Sequence, residues 1–159
     1  MPLAIGWIIL GILALIVLYI IFVFNSLIML RNRVNNAWSQ IDVQLKRRYD
    51  LIPNLINSVK GYMKHERGVL TDITKMRSNL VSGSMSQKSK ASDAITNALK
   101  TIFAVSENYP KLQASENFKM LQEELAGTES KIAFARQFYI DNVMALNNKI
   151  QQFPSSTIA

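Results

Sequence analysis

Residues 24–54 read FNSLIMLRNRVNNAWSQIDVQLKRRYDLIPN. The stretch leaves an apolar segment, brings in the first basic residues, and opens a pattern of apolar residues at three- and four-residue steps. Upstream lies LAIGWIILGILALIVLYIIFVF, residues 3–24, and no charged side chain occurs before Arg31. As a helix, these 22 residues span about 33 Å, against a hydrocarbon core of about 30 Å. A helix apolar on all sides suits lipid, whereas a soluble helix needs one apolar stripe. A cleaved signal peptide fits less well, because no basic residue precedes the run, the run is too long, and no small-x-small site follows it. The segment therefore reads as a retained transmembrane helix. Trp7 is a candidate interface anchor; Tyr19 is either a second one or lies within the span.

The flanks orient this helix. Arg31 and Arg33 follow it and no Lys or Arg precedes it, so the positive-inside rule places the following domain in the cytoplasm and the N-terminus outside. The expected organisation is an anchor over residues 1–25, a cytoplasmic helical bundle over 26–154 and a flexible tail over 155–159.

Beyond the anchor, Val34, Trp38, Ile41, Leu45, Ile52, Leu55, Val59, Tyr62, Val69, Ile73, Met76 and Leu80 share one heptad phase, interrupted by Arg48 and Glu66. This is a helix seam of coiled-coil type, not a strand pattern. Pro53 lies inside it. The unchanged phase on either side favours a kinked but continuing helix, with a tight turn as the alternative. Ser82-Gly83-Ser84 closes the run. A second amphipathic stretch carries Ala91, Ile95, Leu99, Ile102 and Val105, and Asn108-Tyr109-Pro110 breaks it. Ser115 then caps a third, which continues through Phe118, Leu121, Leu125, Ile132, Ala135, Tyr139, Leu146 and Ile150 to about Gln152. The fold class is all-α: a transmembrane helix continuing into an up-and-down antiparallel bundle of long helices. Trp38 reads as core and not as a ligand platform.

The net charge of +7 is unevenly spread. Residues 31–90 hold twelve Lys/Arg against four Asp/Glu, and residues 91–159 hold six against seven. Positive charge concentrated beside the anchor points to anionic lipid or an acidic partner before nucleic acid. Arg31 and Arg33 stand about 10 Å beyond Phe24 along a helix, near the Debye length, and are the expected lipid-facing pair. Lys46, Arg47 and Arg48 stand roughly 33–36 Å away on an upright helix. They form a candidate partner-binding cluster, the alternative being a solvated helix face. Arg48 falls on the seam itself, where it is either paired or marks a break in packing.

Two blocks, residues 24–55 and ENFKMLQEELAGTESKIAFARQFY at 116–139, together with NNKIQQFPS near the end, closely resemble the bacterial LemA family. The resemblance covers most of the chain. It implies an all-α bundle behind a membrane anchor and carries over no catalytic mechanism. The association of some relatives with membrane shaping is an analogy that raises the expectation of a membrane scaffold.

The residues offer little for chemistry. With no Cys, disulfides and thiolate sites are excluded. His65 is the sole histidine, and Lys64-His65-Glu66 supplies at most two ligands at positions that do not face each other on a helix. Glu123, Glu124 and Glu129 read as a solvated face, since no Glu-x-x-His motif accompanies them. No nucleotide-binding or hydrolase motif occurs, and no nucleic-acid reading module accompanies the charge. The expectation is a non-enzyme without catalytic residues, metal or cofactor. Its expected role is a scaffold at the inner (plasma) membrane that self-associates or recruits partners, with membrane shaping a further expectation. Its expected partners are the lipid bilayer and further copies of itself, with no nucleic acid. The alternative is an accessory adaptor subunit of a transporter or protease.

Overall fold

The computed structural model describes residues 2–63 and 67–159. Helix α1 runs Pro2–Lys60, α2 Arg67–Arg77, α3 Asn79–Ser82, α4 Met85–Ser106, α5 Pro110–Gln113 and α6 Glu116–Gln151. A 3-10 turn follows at Ser155–Thr157. No strand occurs among the described residues, so the all-α class stands. The candidate ligand His65 lies outside the described residues.

The chain divides into two compact units. The first joins Met1–Trp38 to Arg136–Ala159. Its α1 portion begins with apolar side chains exposed on every side and then becomes one-sided, with Val23, Ser26, Leu27, Leu30, Val34 and Ala37 wholly or partly covered. Trp38 meets Tyr139 edge-on, with ring centroids 5.6 Å apart, an arrangement favoured by the ring quadrupoles. Trp38 is half-buried and belongs to the packing, as its sequence context indicates.

The second unit, Ser39–Ala135, holds most of the core. Ile41, Leu45, Ile52, Leu55 and Val59 of α1 are buried, as are Ile95, Leu99 and Ile102 of α4 and Phe118, Leu121, Leu125 and Ile132 of α6. These are largely the residues that the periodicity selects. Phe103 and Phe118 pack edge-on at 6.3 Å.

The seam departs from a single phase at one place. α1 ends at Lys60, and Gly61-Tyr62-Met63 turns the chain, with the Tyr62 and Met63 amides both donating to the Val59 carbonyl. The break shifts one of the two seam rows, while Ile73 and Leu80 stay buried in the original phase. Met63 and Leu70 are buried where the continuous heptad selects Tyr62 and Val69, and Tyr62 is exposed.

Pro53, by contrast, lies within unbroken helix. A proline lacks the amide that would bond the carbonyl four residues back, here that of Tyr49. Arg77 supplies the replacement: its Nε donates to the Tyr49 carbonyl at 2.8 Å. Its guanidinium also lies 3.6 Å from the Tyr49 ring centroid, a cation–π contact on the same residue.

The second interruption falls at Ser82-Gly83-Ser84, where the sequence places the end of the run. Ser84 caps α4 in a reciprocal box with Gln87, satisfying two helix-terminal donors. Gly83 has an ordinary φ of −79°, but a Cβ there would lie 2.8 Å from the Asn79 carbonyl oxygen and 2.9 Å from Gln87 Cβ. Close approach therefore requires the glycine. Ser115 Oγ accepts from the Phe118 amide at 3.5 Å at the start of α6.

The proline and the arginine should be energetically coupled. Arg77→Ala should cost about 1.5–3 kcal/mol in the native background, the range for a hydrogen bond from a charged donor. In a Pro53→Ala background the new amide bonds the Tyr49 carbonyl itself, and the cost should fall by about 1 kcal/mol. Urea denaturation of the four proteins of this cycle measures the difference, and equal costs in both backgrounds would refute the replacement.

Candidate functional site

The basic run Lys46-Arg47-Arg48 is not one surface cluster. It occupies three successive positions of α1, and 100° per residue points them in different directions. Lys46 and Arg47 are exposed and Arg48 is wholly buried. Lys46 Nζ stands 5.7 Å from the Tyr49 ring centroid, and Arg47 lies 3.9 Å from Glu124 across an exposed contact with α6. The candidate partner-binding cluster thus contracts to Lys46 and Arg47. Arg48 leaves it because its seam position turns the guanidinium into the bundle.

Around Arg48 three helices converge. Nη2 pairs with Glu129 Oε2 of α6. Nη1 donates to the Ser92 carbonyl at 3.3 Å, the Ser92 hydroxyl at 3.2 Å and the Thr96 hydroxyl at 3.0 Å, all on α4. The Thr96 oxygen also lies 2.8 Å from Glu129 Oε2 and 2.9 Å from the Ser92 carbonyl. Its single hydrogen serves one of these at a time, and the carboxylate is the stronger acceptor. A buried guanidinium is tolerated only when paired and hydrogen-bonded, and this network supplies both. Glu129 retains 42% side-chain exposure, so the carboxylate stands at the edge of the core with water on one side. A hollow of about 210 Å³ opens beside it, lined by Thr96, Leu99, Phe103 and Leu125 among others.

Sequence reasoning placed Glu129 with Glu123 and Glu124 on a solvated face. The structure separates them: Glu123 is exposed, Glu124 faces Arg47, and Glu129 pairs with Arg48. Two interruptions were the available signal. The α1 seam skips from Leu45 to Ile52 and the α6 seam from Leu125 to Ile132, and the charges sit inside both gaps. Asp42 likewise bonds outside its own helix, to Lys88 Nζ at 2.6 Å, and not to Lys46 four residues on.

Chemically the arrangement is a closed ion pair with hydroxyl support. No group of three metal-ligating side chains occurs among the described residues. Elsewhere, Arg31 and Arg33 are exposed on α1, and an Arg33 nitrogen lies 3.7 Å from Met29 Sδ. A larger groove of about 610 Å³ lies between the end of α1 and α2, lined by Ile56, Lys60, Met63, Leu70 and Thr74 among others.

The two halves of the ion pair should respond unequally. Glu129→Ala strands a buried cation and should cost about 3 kcal/mol, the low end for breaking a buried pair because Glu129 is partly wet. Arg48→Met removes the charge at similar volume and leaves Glu129 facing water, so its cost should be smaller and near zero. Chemical denaturation monitored by circular dichroism ranks the two. An Arg48→Met cost equal to or above that of Glu129→Ala would show that the ion pair is a net source of stability.

Comparison with known proteins agrees with this architecture. The profile of the LemA family matches residues 37–159. Protein LemA of Metamycoplasma hominis is 29% identical over 140 residues, an alignment covering 85% of this chain and 63% of that protein. The chain therefore spans less than two thirds of that relative's length. With the matched region taking in most of the bundle and all of α6, the chain belongs to the LemA family.

Proposed function

We propose that the protein is a membrane-anchored, non-catalytic helical scaffold at the cytoplasmic face of the inner (plasma) membrane, where it self-associates or recruits partners. The observation that carries this reading is the change of exposure along α1. From Ile5 to Phe24 every apolar side chain but Val23 is exposed, and among the described residues one helix is long and apolar enough to cross a membrane. A segment that exposes Trp7, Leu10, Leu13, Leu18 and Phe22 together has its natural solvent in hydrocarbon. Arg31 and Arg33, both exposed, support a cytoplasmic bundle and contact with anionic headgroups.

Self-association is favoured by apolar surface that the bundle leaves open. In the first unit α6 exposes Phe138, Ile140 and Met144, and in the second Phe134 is exposed. The anchor confines copies to two dimensions and raises their local concentration. Gly6 and Gly11 lie five residues apart, not four as in the close-packing GxxxG motif, so the span is not the expected association element.

Two measurements test the reading. The full-length protein in lipid nanodiscs should give a mass corresponding to several copies per disc. A strict monomer would count against the scaffold, and co-purification of one different protein at fixed stoichiometry would favour the adaptor.

Replacing Arg31 and Arg33 with Gln while placing Lys at position 2 should weaken or invert the topology. Protease accessibility in sealed vesicles reads it out. A wild-type bundle cleaved only from the outside would overturn the orientation.

A further inference from the structure

We infer that the C-terminal turn, with Phe153 at its tip, is a second membrane contact that inserts into the bilayer at the level where α1 leaves the hydrocarbon. The inference rests on the anchored reading above.

The starting point is Val23. It lies in the last turn of the apolar run and is 1% exposed, whereas Phe22 and Phe24 beside it are 69% and 55% exposed. A helix does not hide one of its own valines in this way, so another piece of chain covers it. In its unit the only chain besides α1 is Arg136–Ala159. Trp38 and Tyr139 fix the register of the two segments. Because the unit joins the chain before Trp38 to the chain after Tyr139, the segments run in opposite senses. Val23 lies about 22 Å back along α1 from Trp38, and the end of α6 at Gln151 lies about 18 Å forward from Tyr139. The turn that follows α6 therefore reaches the level of Val23.

This turn is held by hydrogen bonds of its own. Ser155 is buried, and its hydroxyl lies 2.6 Å from the Lys149 carbonyl and 2.8 Å from that of Gln152. The Ser156 amide donates to the Gln152 carbonyl at 2.8 Å, and the Ile158 and Ala159 amides both reach the Ser155 carbonyl at 3.1 Å. Composition alone marks residues 155–159 as a tail; here the Ser156, Thr157, Ile158 and Ala159 amides all donate within the turn, which lowers the cost of bringing it into an apolar medium.

While Ser155 is held inward, Phe153 is held outward. At 85% exposure it is the most exposed large apolar side chain among the described residues. No charged side chain occurs from Ile150 to Ala159, so insertion of the Phe153 tip desolvates no side-chain charge. Continuity decides the occupant: Val23, which the turn covers, belongs to the apolar run that α1 buries in lipid.

The chain has no cysteine, so single-cysteine variants of the full-length protein label uniquely. Phe153→Cys, Leu13→Cys and Met120→Cys would each carry a nitrobenzoxadiazole fluorophore in phosphatidylcholine–phosphatidylglycerol vesicles. Met120 is an exposed residue of the second unit and serves as the aqueous reference. Relative to it, the label at 153 should be blue-shifted, several-fold less quenched by aqueous iodide, and several-fold more quenched by nitroxide on the lipid chains. Iodide quenching as strong as at Met120 would overturn the inference. Protection from both quenchers would also overturn it, since a second protein copy would then cover the turn. Lipid quenching at Leu13 without quenching at 153 would defeat this inference alone. Its absence at Leu13 would defeat the anchored reading and the inference with it. Thr157→Cys, on the same turn, repeats the measurement with Phe153 retained.

Discussion

A peptide group in hydrocarbon must find its hydrogen-bond partner within the protein, whereas one in water need not. On the anchored reading proposed above, helix α1 satisfies this constraint by running unbroken from Pro2 to Lys60, well past the apolar residues at its start. The consequence is a helix with two kinds of surface. Its first part is apolar around the full circumference, and its later part carries a single covered row from Ile41 to Val59. Unbroken helix also exacts a local repair. At Pro53 the ladder lacks one donor, and a side chain from α2 provides it at Tyr49. The arginine of α2 is in this sense part of the α1 backbone.

Much of this was legible in the residues. The apolar run, the heptad core, the Ser115 start and the continuity through Pro53 all follow from local rules: composition, period and capping. The turn at Gly61-Tyr62-Met63 did not, because the apolar residues downstream happen to preserve a heptad spacing across it. Period counts residues and cannot register a reversal of the chain. The burial of Arg48 was half legible. Its seam position was visible, but the partner was not, since Glu129 is separated from it by 81 residues and sits in a helix whose other acids face water. Pairing across helices depends on register and direction, which the pattern of one helix does not contain.

The Arg48 network bears on how a bundle of such ordinary composition selects one arrangement. Leu, Ile and Val side chains fill space without insisting on particular neighbours, and apolar layers tolerate exchange at similar volume. A guanidinium with hydroxyls on α4 and a carboxylate on α6 is far more exacting, because its donors have fixed directions. Helices α1, α4 and α6 each contribute to it, so the three are specified together and not in pairs.

That exactness has a consequence for sliding. An apolar heptad seam repeats itself, so α6 could shift by seven residues, about 10 Å, and still present a similar stripe. The charges do not repeat. One direction of shift would bring Gln122 opposite Arg48, and the other would bring Arg136. The first leaves the buried cation with a neutral amide, and the second sets two cations against each other. A single glutamate therefore acts as a vernier mark on an otherwise uniform scale, and the bundle reads true at only one setting.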